Sequence, residues 1–203
     1  MKVPVRLEVR GFLFLGEEMK KLIIGRSIML PYLVILAIAV SRLVFIHPYN
    51  LVPIFSALLF FGACRPAREY GIVVLGLIGL DIFITTHQYG YRLAPDQALT
   101  WIWYLVAVNL GAVALSNKIS VRRIVGSSLL ASISFFVVSN FGVWFAWNMY
   151  PKTLAGLTTC YVAALPFFRN SVESELLWSS LLFGLARYSQ TVIVGARLKR
   201  ACS

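Results

Sequence analysis

From Ser27 onward the chain is a series of long apolar runs separated by short polar or proline-bearing breaks. Runs of about 20 apolar residues predict helices that cross a membrane. The expected spans are Ser27–Ile46, Leu51–Cys64, Tyr70–Thr86, Leu99–Ser116, Ile124–Trp147 and Leu176–Ile193. The second is short, which implies tilt or extension by its flanks. His47-Pro48-Tyr49-Asn50 reads as a tight turn, because Pro48 and Pro53 restrict the backbone. Leu154–Phe168 is apolar but only 15 residues long. That length fits a re-entrant or interfacial helix better than a full crossing.

Composition agrees with this pattern. Apolar residues make up 59% of the chain, charged residues only 13%, and mean hydropathy is +0.79. Soluble domains carry about 25% charged residues, so the expected class is an all-α membrane protein, a bundle of six transmembrane helices plus one short helix at about 154–168. The net charge of +11 calls for no nucleic acid, since basic residues collect at the cytoplasmic ends of membrane helices. If residues 154–168 do not cross, 14 Lys and Arg fall on one side, against Arg92, Lys152 and Arg169 on the other, with Arg42 and Arg187 inside spans. If they cross, the split becomes 12 against 5. The positive-inside rule therefore favours six spans with both termini cytoplasmic.

Residues 1–26 read as a cytoplasmic tail, 27–195 as a single bundle and 196–203 as a basic cytoplasmic tail. Residues 1–18 lack the apolar core and cleavage site of a signal peptide. Met19-Lys20-Lys21 before an apolar run suggests translation from Met19, the alternative being a short amphipathic tail. Cys64, Cys160 and Cys202 form no CxxC pair and read as free thiols, with no metal site and no cofactor implied. No internal repeat marks the chain as an inverted-repeat transporter.

Polar residues within the spans are the candidates for function, because each needs a partner, a cavity or a ligand. Asp81 stands well inside the third span, where it either binds a ligand or pairs with a basic side chain such as Arg42. Asn109 on the fourth span reads as a ligand contact or as interhelical glue. Ser128, Ser132, Phe136, Asn140, Trp144, Trp147 and Asn148 continue one face of the fifth span over several turns. The two serines also suit close helix packing, and Trp147 suits interfacial anchoring. His47 and His87 fall at outer span ends. Arg187 reads as a snorkelling side chain or a contact to a partner protein. No Walker A loop, HExxH, GxSxG or buried carboxylate pair is present, so the sequence offers no enzyme signature.

The stretches PYNLVPIFSALLFFGA (residues 48–63), Leu80-Asp81, FFVVSNFGVWFAWNMYPKTLAGLTTCYVAALPFFRNSV (135–172) and LLFGL (181–185) resemble a family of small bacterial membrane proteins described as candidate transport proteins. That family is in turn similar to the substrate-binding S components of energy-coupling factor (ECF) vitamin transporters. The resemblance covers residues 41–185. It implies an inner-membrane protein of six helices with a pocket open to the outside, docked to a transmembrane coupling protein and paired ATPases. It places the pocket at the outer halves of spans three to five and residues 150–170. S components dock through small residues on an early helix. Here the small residues are Ser56, Ala57, Gly62 and Ala63, which depart from the usual Ala-x-x-x-Ala spacing.

The sequence therefore leads to a small organic solute bound by Asp81, Asn109, Asn140, Trp144, Trp147, Asn148 and Tyr161, with the aromatic residues stacking on its ring. Ser56, Ala57, Gly62, Ala63 and Arg187 are the expected partner-docking residues. The rival expectation is an accessory subunit packed against a larger membrane complex.

Overall fold

A computed structural model describes residues 29–44, 53–117 and 119–201, the side chains of 187 and 189–201 excepted. Among the described residues there are six α-helices and no strand: α1 (Met29–Val44), α2 (Ile54–Cys64), α3 (Tyr70–Phe83), α4 (Pro95–Leu115), α5 (Val121–Ala146) and α6 (Leu154–Ala201). A 3₁₀ turn (Ala67–Glu69) leads into α3, and a π turn (Ile84–Gln88) ends it. Ala67–Gln88, Pro95–Leu115 and Val121–Ala146 are long and apolar enough to cross a membrane. Their outward faces carry Ile72, Leu75, Val113 and Phe145, an apolar exterior that suits lipid contact.

α2 is the centre of the molecule. Eight of its residues, from Ser56 to Ala63, are buried. Its 11 residues extend for about 16 Å, so it is surrounded by longer helices. Close approach to α4 depends on two glycines. A Cβ added at Gly62 would lie 1.9 Å from the Val108 carbonyl oxygen, and one at Gly111 would lie 2.2 Å from that of Leu59. Only a residue without a side chain lets the two backbones cross this tightly, the small-residue packing expected of membrane helices. Leu58, Phe61, Val74, Leu77, Tyr104 and Val108 fill the core on one side of α2, and Leu59, Phe60, Leu115, Ala131 and Phe183 fill it on the other.

This position corrects the docking expectation. Ser56, Ala57, Gly62 and Ala63 are covered by the chain's own helices, so they form no free surface for a partner. Small residues on an apolar helix serve internal packing as readily as external docking, and the sequence alone does not separate the two. The Arg187 side chain, His47 and Cys202 lie outside the described residues.

A second correction concerns residues 154–193. In place of a short interfacial piece and a separate last span, α6 is one helix of 48 residues that passes through Pro166. At about 1.5 Å per residue it extends for about 72 Å, more than twice the apolar thickness of a bilayer. The stretch expected to break, 169–175, stays helical. Within it Arg169 pairs with Glu173 at 2.8 Å, one helical turn apart.

The corner between α5 and α6 explains the YPKTLAG segment. The Lys152 ammonium donates to the carbonyl oxygens of Trp144, Phe145 (3.0 Å) and Trp147 (2.7 Å). It thus satisfies carbonyls left free at the end of α5 and complements the helix dipole. Trp144 Nε1 donates to the Pro151 carbonyl (2.8 Å), and the Thr153 hydroxyl accepts the Gly156 N–H (3.1 Å) at the start of α6. A Cβ at Gly156 would lie 2.1 Å from the Pro151 oxygen, so the chain turns back here only with glycine.

Candidate binding cavity

A cavity of about 410 Å³ opens between α2, α4, α5 and α6, with Arg42 of α1 at its wall. Ile54 and Phe55 line it from α2, and Thr100 and Tyr104 from α4. Ser132, Phe135, Phe136, Ser139 and Asn140 line it from α5, and Ala164, Phe167, Phe168, Ser171 and Glu175 from α6. Two ring pairs stand in the wall: Phe55 meets Phe135 at 4.8 Å between centroids, and Phe136 meets Phe168 at 4.4 Å.

Arg42 and Glu175 are the two charged residues of the lining. Arg42 donates to Asp81 at 2.5 Å, and the Tyr104 hydroxyl donates to the other Asp81 oxygen at 2.9 Å. Asp81 is only 7% exposed and stands behind the cavity, holding two of its wall residues in place. Burying a carboxylate costs several kcal/mol unless it is paired, and this pairing takes the local charge of Arg42 and Asp81 to zero.

Glu175 is 3% exposed. Its carboxylate accepts the Phe55 N–H at 3.2 Å and the Ser56 hydroxyl. Both donors belong to the first turn of α2, where free N–H groups and the helix dipole favour a negative charge. A chain of hydroxyls also ends on this group: Ser128 donates to Ser179 (2.8 Å), Ser179 to Ser56 (3.0 Å), and Ser56 to the carboxylate. Three helices are thereby joined through their buried polar groups. No cation pairs with Glu175 among the described residues. The Ser132 hydroxyl, 4% exposed and lining the same cavity, has no hydrogen-bond partner among the described residues.

The residues expected to bind a ligand are dispersed. Asn140 lines the cavity, with its amide donating to the Phe136 carbonyl at 2.8 Å. Asp81 acts on the cavity through Arg42 and Tyr104. Tyr161 packs against Phe136 at 5.6 Å and donates to the Val137 carbonyl at 2.6 Å, bracing the α5–α6 contact next to the lining. Trp144 and Trp147 belong to the corner, where Trp147 Nε1 donates to Asp96 at 3.1 Å, and Asn148 is exposed in the turn after α5. Asn109 is exposed on α4 and bonds the Leu105 carbonyl of its own helix at 2.7 Å. The stripe on α5 therefore divides. Its inner part, Ser132, Phe136 and Asn140, faces the cavity, while its outer part builds the corner.

Glu175 does not stand out in the sequence, because the expected spans put it in the break before Leu176. Reading 154–201 as one helix supplies the missing signal: Ser171, Glu175 and Ser179 are then spaced i, i+4, i+8 on a single face. The sequence offers Arg42 as a partner for Asp81 but gives no sign that it lines a cavity.

No curated protein and no solved structure matches this chain. A family model matches residues 23–196, and the chain accordingly belongs to the family of unknown function DUF6580.

Proposed function

We propose that this protein is a membrane-embedded binding component for a small organic solute. The carrying observation is the cavity itself, with an aromatic wall and a few convergent polar groups, Arg42, Ser132, Asn140 and Glu175. Such a combination is the usual form of a small-molecule site. An unpartnered buried hydroxyl in its wall adds to this, since buried polar groups are normally satisfied.

The protein crosses the bacterial inner membrane six times in this reading. On this reading α1 to α6 alternate in direction, α6 counts as one crossing, and its basic end, with Arg197, Lys199 and Arg200, lies on the cytoplasmic side. The cavity then lies in the half nearer the outer loops, since Thr100 is close to the start of α4 and Asn140 close to the end of α5. Solute enters from outside as part of an uptake system. A coupling protein with ATPase subunits, if it is the partner, docks on a face other than the buried small residues of α2.

A thermal-stability screen of small solutes against the purified protein tests the reading. A bound solute raises Tm by mass action, about 2.7 kcal/mol of stabilisation at 100 times its Kd. The expected result is a solute that stabilises the wild type and leaves Ser139→Trp, which fills the cavity, unshifted. Equal shifts in both place the site elsewhere. An accessory subunit instead gives no solute and a stable complex with other membrane proteins.

A further inference from the structure

We propose that the solute carries a positive charge, and that Glu175 is its counter-ion within an aromatic cage. The inference rests on the cavity being a binding site and deepens that reading to a chemical class, small organic cations such as protonated or quaternary amines.

Charge bookkeeping at the site favours a cation. Arg42 is neutralised by Asp81 at 2.5 Å, and no cation among the described residues pairs with Glu175, so its ionised carboxylate gives the cavity a negative charge that a bound cation would compensate. Each carboxylate oxygen has two lone pairs, and the Phe55 N–H and Ser56 hydroxyl use one on each oxygen. Capacity remains for a donor arriving from the cavity. An ammonium there would make charge-assisted hydrogen bonds and remove the cost of an unpaired buried charge.

The wall chemistry points the same way independently. Phe55, Phe135, Phe136, Phe167, Phe168 and Tyr104 surround the space. The faces of aromatic rings attract cations, most strongly where water is excluded. An anion would meet those rings without that attraction, and Glu175 beside them. The buried Ser132 hydroxyl, unpartnered and lining the cavity from α5, supplies a second polar contact for a donor on the ligand.

A matched trio of probes isolates charge from shape: phenethylamine, phenethyl alcohol and phenylacetate, titrated calorimetrically into the full chain in lipid nanodiscs at neutral pH. The amine should bind at least about tenfold more tightly than the alcohol, as expected of one charge-assisted contact, and phenylacetate most weakly. Glu175→Gln should remove the preference for the amine. Phe136→Leu, which leaves the polar chain intact, should weaken the amine by about threefold and the alcohol less. Amine and alcohol binding equally, tighter binding of phenylacetate, or a preference that survives Glu175→Gln overturns the cation while leaving the cavity as a site. Binding of none of the three overturns the cation as well. The solute screen above then decides separately whether the cavity binds anything.

Discussion

Arg42 of α1 reaches Asp81 of α3 at 2.5 Å, and Tyr104 of α4 takes the carboxylate's second oxygen at 2.9 Å. Three helices thus meet on one buried acid, directly behind the cavity wall. Truncating one partner strands the other charge, and such losses cost about 3–5 kcal/mol. Arg42→Met and Asp81→Leu should each lower stability strongly, whereas the double variant should recover most of it. Unfolding of the three variants in detergent checks this, and a double variant as unstable as the singles contradicts it.

The crossing of α2 and α4 makes a sharper steric prediction. Gly62→Ala puts a methyl group 1.9 Å from the Val108 carbonyl oxygen, a backbone atom that cannot rotate away. Overpacking of this kind costs about 1–3 kcal/mol, occasionally more. Gly71→Ala, whose added Cβ meets nothing within 4 Å, should be tolerated. Yield of monodisperse protein and thermal midpoint for the two variants measure the difference.

Trp144 and Lys152 should behave as structural residues. Lys152→Met removes the cation that gathers three carbonyls at the end of α5, and Trp144→Phe removes the bond to Pro151. Both should lower the thermal midpoint and leave solute affinity within about twofold, since the lost bonds lie outside the site: one neutral hydrogen bond worth about 1 kcal/mol for Trp144→Phe, and charge-assisted ones worth more for Lys152→Met. A tenfold loss of affinity with unchanged stability would return Trp144 to the binding site.

Ser132→Ala should show the opposite pattern. Its hydroxyl is buried and has no partner among the described residues, so removing it relieves an unsatisfied group and leaves stability equal or higher. Solute affinity should fall by about threefold to tenfold, the worth of about one hydrogen bond. Melting and calorimetry on one preparation give both numbers.

The helical class and most helix positions were legible in the sequence, because apolar runs of membrane length have few alternative uses. The fifth helix is expected at Ile124–Trp147 and runs from Val121 to Ala146. α4 begins four residues earlier than expected, at Pro95, where a proline suits the first helical position. The joining of 154–168 to 176–193 was not legible. Arg169, Asn170, Glu173 and Glu175 look like a loop when read by polarity, yet Glu175 turns inward to α2 while Arg169 and Glu173 pair on the exposed face. The same ambiguity hid the cavity: a buried acid beside two exposed charges has no separate signature in one dimension. Trp144 and Asn140 share a stripe by spacing, but the corner after α5 claims one and the cavity the other. Helical periodicity fixes a face and leaves open what covers it.

The first test of a cation in the cavity is native mass spectrometry of the protein gently extracted from its own membrane, wild type beside Ala164→Trp. Ala164 lines the cavity from α6, and an indole there occupies the proposed site. The account predicts a small cationic molecule retained by the wild type and absent from the variant. A wild-type protein that carries no small molecule and travels in a stable complex with other membrane subunits, or a molecule held equally by both proteins, would contradict it.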